Sequence, residues 1–236
     1  MTPRISLLHA TYGRPSKAAW TAGLWYVQAS WKHKIEYVLA TNSDDPTAGD
    51  AATMVDCAFA KHLLDVVHVR GDFHGSAPAW DAAAKASTGQ ILVQVSDDVE
   101  PPPFWDQKIV DALAGPTAQD FPLFLAVSDG FRKDRLCTTA IMNRARYEQC
   151  GEFLHAGYRS VFSDDEVTCR AYADQAKGKC LVVEARQLVF KHRHHYHDKT
   201  VPMDSTYERG NSAEAYRVGH ELFSKRNADI LKFRTW

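Results

Sequence analysis

Short apolar segments alternate with segments of helical composition through the first half of the chain, and this alternation limits the folds that are possible. Continuous apolar strands separated by helices predict an α/β fold, with a mostly parallel sheet covered by helices on both faces. The predicted strands are Ile5–Ala10, Ile35–Thr41, Leu64–Val69 and Gln90–Val95. The predicted helices are Lys17–Trp31, capped by Ser16, then Gly49–His62, a helix ending near Ala86, and Pro103–Leu113.

Polar clusters follow three of these strands, at Thr11–Arg14, Asn42–Asp45 and Ser96–Asp98. Ligands of parallel sheets bind beyond the carboxyl ends of the strands. We therefore expect the three clusters to meet at one edge of the sheet and to form a ligand site there.

The second half of the chain is less regular. Its predicted strands are Phe121–Val127, Thr138–Met142 and Leu181–Lys191, the last with a break near Ala185, and its predicted helix is Ser163–Asp174. The tail from about Glu208 to Phe233 is predicted to be mostly helical. No linker separates the halves, and 236 residues suit one α/β domain better than two small ones.

Composition excludes several classes of protein. With 28 basic and 29 acidic residues, the chain as a whole is not a binder of polyanions, although a local basic patch remains open. No apolar run approaches the ~20 residues that span a bilayer. The cysteines at 57, 137, 150, 169 and 180 are odd in number and lack C-x-x-C spacing, so we expect reduced thiols in a cytoplasmic protein.

The acidic segment Ser96-Asp97-Asp98 follows a buried strand directly, and three prolines come after it. Two carboxylates at such a position need a compensating charge, and Mg²⁺ or Mn²⁺ prefers carboxylate oxygens and can bridge to a diphosphate. The alternative is an acidic loop that caps the next helix.

A second acidic segment, Ser163-Asp164-Asp165-Glu166, begins a predicted helix. Simple capping by Ser163 or Asp164 is one interpretation, because acids suit a helix N-terminus. The other is a general base, since neighbouring acids raise the pKa of a carboxyl group toward the working range.

Histidines are concentrated between Phe190 and His197, where four of the eleven in the chain occur. The segment follows a strand, so His192 and His194 are expected to share a face. Such density favours metal binding, with a solvated basic loop or phosphate contacts as alternatives.

Taken together, these segments resemble the inverting GT-A glycosyltransferases, particularly the family 2-like group, over the range from Ile5 to about Tyr207. Thr11–Arg14 resembles the family's first nucleotide-binding loop, and Asn42–Asp45 its second, where an Asp often holds the uracil base. Ser96–Asp98 lies where the family carries Asp-x-Asp, with the metal-binding Asp last.

Other segments support the same resemblance. Gly75–Ala83 is similar to the segment before the acidic strand, although Trp80-Asp81 replaces the usual Arg-Asn pair. Arg144–Gly151 is similar to the segment before the catalytic acid. The family's base lies six residues before an Arg, which selects Asp164 because Arg170 follows at that spacing.

The resemblance implies an inverting, metal-dependent transferase that moves a sugar from a nucleotide donor, expected to be a UDP-sugar, with Mn²⁺ or Mg²⁺ as cofactor. It implies one GT-A-like domain over 1–236, with a nucleotide-sugar half at 1–115, an acceptor and catalytic half at 116–207 and a helical tail at 208–236. The implied catalytic residues are Asp164 and Asp165; the donor-binding residues are Thr11, Tyr12, Arg14, Asp44, Asp45, Trp80 and Asp97; the metal ligands are Asp98, His192 and His194.

The acceptor stays open between a saccharide, a protein, a lipid-linked group and a modified nucleobase. Two other functions remain as alternatives: a nucleotidyltransferase, and a non-catalytic module on a degenerate GT-A fold that binds carbohydrate or nucleic acid. For such a module, a binding face could include Trp20, Trp25, Trp31, Lys32 and Lys34. The preferred interpretation is that these residues are the core side chains and the solvated side-chain stems of an amphipathic helix.

Overall fold

One mixed seven-stranded sheet organises the computed structural model, which describes residues 3–59, 65–114 and 120–234. The strands are β1 (Arg4–Thr11), β2 (Lys34–Asn42), β3 (Asp65–Gly71), β4 (Ile91–Val95), β5 (Val99–Glu100), β6 (Leu123–Ser128), β7 (Ile141–Asn143), β8 (Leu181–Val189) and β9 (Lys191–His192). The large sheet has the order β3-β2-β1-β4-β7-β6-β8, and β5 and β9 pair separately. Only β7 runs antiparallel to its neighbours in the large sheet, so the predicted mostly parallel sheet is confirmed.

Helices cover both faces of this sheet, as predicted. They are α1 (Pro15–Val27), α2 (Ala48–Phe59), α3 (Ser76–Ala86), α4 (Trp105–Leu113), α5 (Arg144–Cys150), α6 (Ser163–Ala176), α7 (Ser205–Gly210) and α8 (Ala213–Arg226), followed by a 3₁₀ turn at Leu231–Phe233. One core includes Trp25, Val55 and Ile109 from α1, α2 and α4, and the other includes Ala83 and Cys169 from α3 and α6. Because both faces are covered, β1 and β2 are buried nearly throughout, which explains their continuous apolar sequences.

The first helix differs from its predicted bounds at both ends. It begins at Pro15, and Arg14 occupies the N-cap position without a side-chain hydrogen bond, so the prediction of Ser16 as the cap was wrong. Proline suits the first helical turn because its φ is already helical and its missing N–H needs no partner there. The helix ends at Val27, before Trp31, which has a left-handed φ of 61°. The predicted end of the second helix at His62 and the start of the third strand at Leu64 lie outside the described residues.

The predicted break in the last long strand coincides with a bulge. The pairing of β8 with β6 shifts register between Ala126 and Ser128, which pair with Glu184 and Val189 respectively. The chain then leaves the large sheet, and β9 pairs antiparallel with β5, with His192 opposite Val99. This small second sheet, which the sequence did not predict, carries the histidine segment to the acidic end of β4.

Candidate functional site

A cleft with a volume of about 880 Å³ opens at the carboxyl ends of β1, β2 and β4. All three predicted polar clusters contribute to its walls, so the expectation that they meet at one edge agrees with the structure. Residues from the N-termini of α3 and α6, from the histidine segment and from α7 complete the lining.

Asp98 and His192 meet in this cleft. The Asp98 Oδ2 atom lies 3.3 Å from His192 Nε2, and the Arg193 N–H donates to the Asp98 carbonyl at 2.7 Å. Tyr207 Oη donates to the same Asp98 Oδ2 at 2.7 Å. The pairing of β5 with β9 therefore holds beside each other a carboxylate and an imidazole that are far apart in the chain.

The electrostatics of this pair favour charge on both partners. Burial opposes ionisation of Asp98, but His192 and Tyr207 outweigh it and hold the pKa of Asp98 well below its usual value. Burial likewise opposes protonation of His192, but Asp98, with Asp129 and Asp164 further away, raises the pKa of His192.

The donor set of this pair fits a divalent cation. Carboxylate oxygen and imidazole nitrogen are both accepted by Mn²⁺. No three His, Cys, Asp or Glu side chains converge as a complete metal site in the ranges that the structure describes. The chain would thus supply part of a coordination shell and leave the rest to a ligand and water.

His194, the other predicted imidazole ligand, lies beside His192 with their ring centroids 5.2 Å apart. Its ring also stacks on Tyr196 and meets the Tyr207 ring edge to face. Burial and then the nearby His192 lower the pKa of His194 to about 4, which keeps this imidazole neutral near pH 7.

Asp97 lines the cleft but is largely buried, and its carboxylate is bound by neighbouring side chains. Its carboxylate oxygens contact His9 Nε2 at 2.9 Å and accept from Thr11 Oγ1 at 3.0 Å. The other ring nitrogen of His9 contacts Tyr37 Oη at 2.5 Å. Arg14 is more distant, with its Nη1 atom 3.9 Å from Asp97 Oδ2. Asp97 therefore fixes the end of β4 against β1.

The two acids that follow β2 have different environments. Asp44 is exposed and lines the cleft. Asp45 is buried and accepts from the backbone N–H groups of Gly13 and Thr47, each at 2.8 Å. Asp45 therefore holds the Thr11–Arg14 loop in place, and Asp44 is the acid of this pair that a cleft ligand can reach.

Helix α7 covers the Thr11–Arg14 loop. Thr206 Oγ1 donates to the Tyr12 carbonyl at 3.2 Å, and the Arg209 guanidinium lies 4.0 Å from the Tyr12 ring centroid. Arg14 is ion-paired with Asp204 and lies 4.3 Å above the Tyr207 ring. The tail of the chain is thus part of the wall of the cleft.

Trp80 forms another part of the wall. It is buried on α3, and its Nε1–H donates to the Val95 carbonyl at 2.9 Å, at the point where β4 ends. Its neighbour Asp81 accepts from the Phe153 N–H at 2.8 Å and pairs with Lys85. The Trp80-Asp81 pair therefore links the acidic strand end to the segment that leads into α6.

The three successive acids of α6 differ in their partners. Glu166 is buried among Arg170, Arg226 and Asn227, which lower its pKa to about 2 against the opposing effect of burial. Asp165 pairs with Arg234 at 2.9 Å. Asp164 is half-buried in the cleft wall and accepts from the Asp165 N–H at 3.1 Å.

Burial, and then the Asp165 carboxylate, raise the pKa of Asp164 to about 7. A cleft carboxyl group with such a pKa can accept a proton near neutral pH. The capping interpretations of both acidic segments are wrong. Phe162 occupies the N-cap of α6 without a side-chain bond, and the helix after Ser96–Asp98 begins only at Trp105, with Phe104 as its N-cap.

Two contributors were missed from the sequence. His9 interrupts an otherwise apolar strand, and a lone imidazole at a buried strand position is a signal that a polar partner lies nearby. Tyr207 lies in a segment that the resemblance covers, but its hydrogen bond to Asp98 depends on where α7 folds, which no local pattern indicates.

Comparisons with known proteins give structural matches alone. No protein-family model matches the sequence, and no curated protein does. The structure resembles the mannosyltransferase PcManGT from Pyrobaculum calidifontis in complex with GDP-Man and Mn²⁺, with 16% identity over 98% of this chain and 65% of that chain, and a TM-score of 0.65.

Two further matches have the same fold. S. aureus TarS 1-349 in complex with UDP matches with 13% identity over 79% of this chain and 59% of that chain, and a TM-score of 0.60. Glucosyl-3-phosphoglycerate synthase from Mycobacterium tuberculosis with Mg²⁺ and UDP matches with 11% identity over 94% of this chain and 79% of that chain, and a TM-score of 0.56. This chain spans less than two thirds of the first two structures. At these identities the likeness shows the fold.

The raised pKa of Asp164 predicts a pH-dependent stability cost. An ordinary carboxyl group loses its proton near pH 4 in the unfolded chain, whereas folded Asp164 keeps it to about pH 7. The folded state binds more protons in that interval, so its stability falls as the pH rises, and the cost is complete above pH 7. Asp164→Asn should therefore raise the melting temperature at pH 8, by roughly 2–4 °C for each 1 kcal/mol.

The gain should shrink as the pH falls toward 4. Asp44→Asn, a change of the same size on the other side of the cleft, is the matched control and should show no such trend. Equal melting temperatures for wild type and Asp164→Asn across pH 4–8 would contradict the burial of a costly charge at Asp164. Scanning calorimetry of the ligand-free wild type and of each variant measures these melting temperatures.

Proposed function

We propose that this chain, whose fold is that of the GT-A glycosyltransferases, is a metal-dependent inverting glycosyltransferase that uses a nucleoside diphosphate sugar, with UDP as the nucleotide. One observation carries the proposal: the same cleft contains a carboxylate–imidazole pair, Asp98 and His192, and a separate carboxyl group, Asp164, with a raised pKa. Transfer of a sugar from a diphosphate needs both a charge-stabilising site and a base.

The donor would lie across the carboxyl ends of β1, β2 and β4. Thr11, Tyr12 and Arg14 line that part of the cleft together with Asp44. Trp80 and Asp97 also line it and fix the end of β4. The Arg14 Nε–H is buried without a hydrogen-bond partner among the described residues, so this guanidinium retains a donor for an anionic ligand.

Asp98 and His192 would hold Mn²⁺ or Mg²⁺ with the donor diphosphate, and His194 lies beside them as a further neutral imidazole. A cation bound there acts as a Lewis acid that offsets the charge developing on the leaving diphosphate. Two of the matched structures are complexes with GDP-Man and Mn²⁺ and with Mg²⁺ and UDP, which supports this choice of ligands. Tyr207 would keep the Asp98 carboxylate in a fixed orientation.

Asp164 would take the proton from the acceptor hydroxyl as its oxygen attacks the anomeric carbon. The bond from that carbon to the diphosphate breaks in the same displacement, and the configuration inverts. Asp165 takes no proton in this scheme: its carboxylate is paired with Arg234 and contributes to the raised pKa of its neighbour.

A non-catalytic binding module does not require a carboxyl group such as that of Asp164, whose ionisation is made unfavourable by its surroundings. A nucleotidyltransferase also uses acids and a metal, but it releases pyrophosphate, whereas the proposed reaction releases a nucleoside diphosphate. The identity of the phosphate product therefore distinguishes the two enzyme classes.

The base assignment predicts a large loss of turnover in Asp164→Asn. General-base catalysis is typically worth ~10²–10⁴-fold, and an amide of the same shape cannot accept the proton. Donor binding should be largely unchanged, because Asp164 is not among the residues proposed to hold the donor or the metal. Asp165→Asn is the neighbouring control and should lose much less activity. Steady-state kinetics with donor titration separates the two effects, and near-full activity of Asp164→Asn would show that the base lies elsewhere.

The metal assignment predicts that stabilisation by UDP depends on Mn²⁺ and on Asp98. A ligand that binds only the folded state raises the melting temperature by mass action. Asp98→Ala and His192→Ala should each lose the part of the shift that Mn²⁺ adds. His155→Ala, which removes an imidazole paired with Glu152 outside this cleft, should keep it. An unchanged Mn²⁺-dependent shift in Asp98→Ala would exclude Asp98 as a ligand.

A further inference from the structure

The outward side of α1 carries an apolar surface that the cleft does not use. The segment Pro15–Trp31 has seventeen residues and a single charged one, Lys17, which is ion-paired. Trp25 is fully buried in the core, whereas Trp20 is 54% exposed and Val27 is 70% exposed. Residues seven apart lie on the same side of a helix. A surface helix normally presents charged or polar residues on that side.

Two aromatic side chains extend this surface at the end of the helix. The Phe104 N–H donates to the Gln28 carbonyl at 2.6 Å, next to Val27, and Phe104 is 59% exposed. Trp31 is 41% exposed and packs against the Tyr26 ring with centroids 4.2 Å apart. We call Trp20, Val27, Trp31 and Phe104 the aromatic face.

Trp31 and Phe104 are held on the surface by strained backbone. Their φ angles are 61° and 58°, in the left-handed region that bulky residues rarely adopt. The turn that presents them is fixed by the Ser30 N–H and hydroxyl, which donate to the Asp106 carboxylate at 2.6 and 2.7 Å. Both side chains remain partly exposed in spite of this strain, so the two turns keep apolar rings at the surface.

Three lysines lie close in the chain to the aromatic face. Lys32 and Lys34 follow Trp31 and are exposed, and Lys108 lies one turn after Phe104 on α4; we call them the lysine rim. Within the ranges 3–59, 65–114 and 120–234, none of the three takes part in an ion pair. Of the acids beside Lys108 on α4, Asp106 is buried and bound by Ser30, and Asp111 is exposed and accepts from Gln107, so the lysines outnumber the exposed acid.

We propose that the aromatic face and its lysine rim bind the surface of an anionic lipid membrane. Tryptophan and phenylalanine partition into the interfacial region of a bilayer, and lysines near the surface are attracted to anionic headgroups. None of the described helices is long and apolar enough to cross a membrane. In the proposed complex, α1 would lie along the membrane surface. A second copy of the chain fits less well, since a two-fold contact would bring the lysine rims together.

Membrane binding would leave the cleft accessible. Helix α1 begins beside the cleft at Pro15, and three of the four residues of the aromatic face lie at or beyond its other end. None of the four lines the cleft. Membrane binding can therefore be tested independently of the proposed glycosyltransferase activity, because the test needs no sugar donor or acceptor.

Sedimentation with lipid vesicles tests it. The purified full chain should sediment with phosphatidylcholine vesicles that contain about 30% phosphatidylglycerol, and much less with phosphatidylcholine alone. In the double variant Trp31→Gly/Phe104→Gly, the bound fraction should fall about tenfold or more, because both interfacial side chains are gone. Glycine adopts the left-handed backbone readily, which offsets the contact with Tyr26 that Trp31→Gly removes, so this variant should keep a melting temperature close to that of wild type.

Leu231→Ser is the matched control, since Leu231 is also 41% exposed but lies far along the chain in the tail; its vesicle binding should equal that of wild type. Lys32→Gln/Lys34→Gln/Lys108→Gln should lose the preference for anionic vesicles. Absence of binding by wild type, or equal binding by wild type and the double glycine variant, would overturn the proposal. So would a concentration-dependent dimer in light scattering that the glycine variant abolishes while neither protein binds vesicles; the occupant of the face would then be a second copy.

Discussion

The contact between Asp98 and His192 is the interaction on which the rest of the site depends. The two residues are far apart in the sequence, and the short β5–β9 pairing is what brings them together. Tyr207 then adds the tail of the chain to the same carboxylate, and Arg14, stacked over Tyr207, adds the loop after β1. A half-buried carboxylate is stable only with such partners, so the acid at the end of β4 determines how three distant segments are arranged.

Environment, more than residue type, assigns roles to the acids of the cleft. Asp45, Asp97 and Glu166 are buried with their oxygens occupied by backbone or side-chain donors, and they position loops and strand ends. Burial and the like-charged Asp165 make the ionised form of Asp164 costly, and they outweigh the backbone donor that favours it. Two consecutive carboxylates of α6 thus differ in chemistry because Arg234 pairs with Asp165 alone.

Much of the first half could be predicted from the sequence, because buried parallel strands are continuous in apolar character and polar clusters mark their carboxyl ends. The second half could not be predicted in the same detail. The β5–β9 pair is two residues long on each side, too short for periodicity, and the contact of Tyr207 with Asp98 is purely tertiary. Strained turns at Trp31 and Phe104 also carry no local signal, since neither residue favours a left-handed backbone.

Sugar transfer with release of a nucleoside diphosphate is tested most directly by phosphorus NMR of the protein with Mn²⁺, a panel of nucleotide sugars and a mixture of saccharide acceptors. One donor should be consumed, its nucleoside diphosphate should appear, and Asp164→Asn should form this product far more slowly. Release of pyrophosphate, or formation of nucleoside diphosphate at the same rate in wild type and Asp164→Asn, would show that the proposed function is wrong.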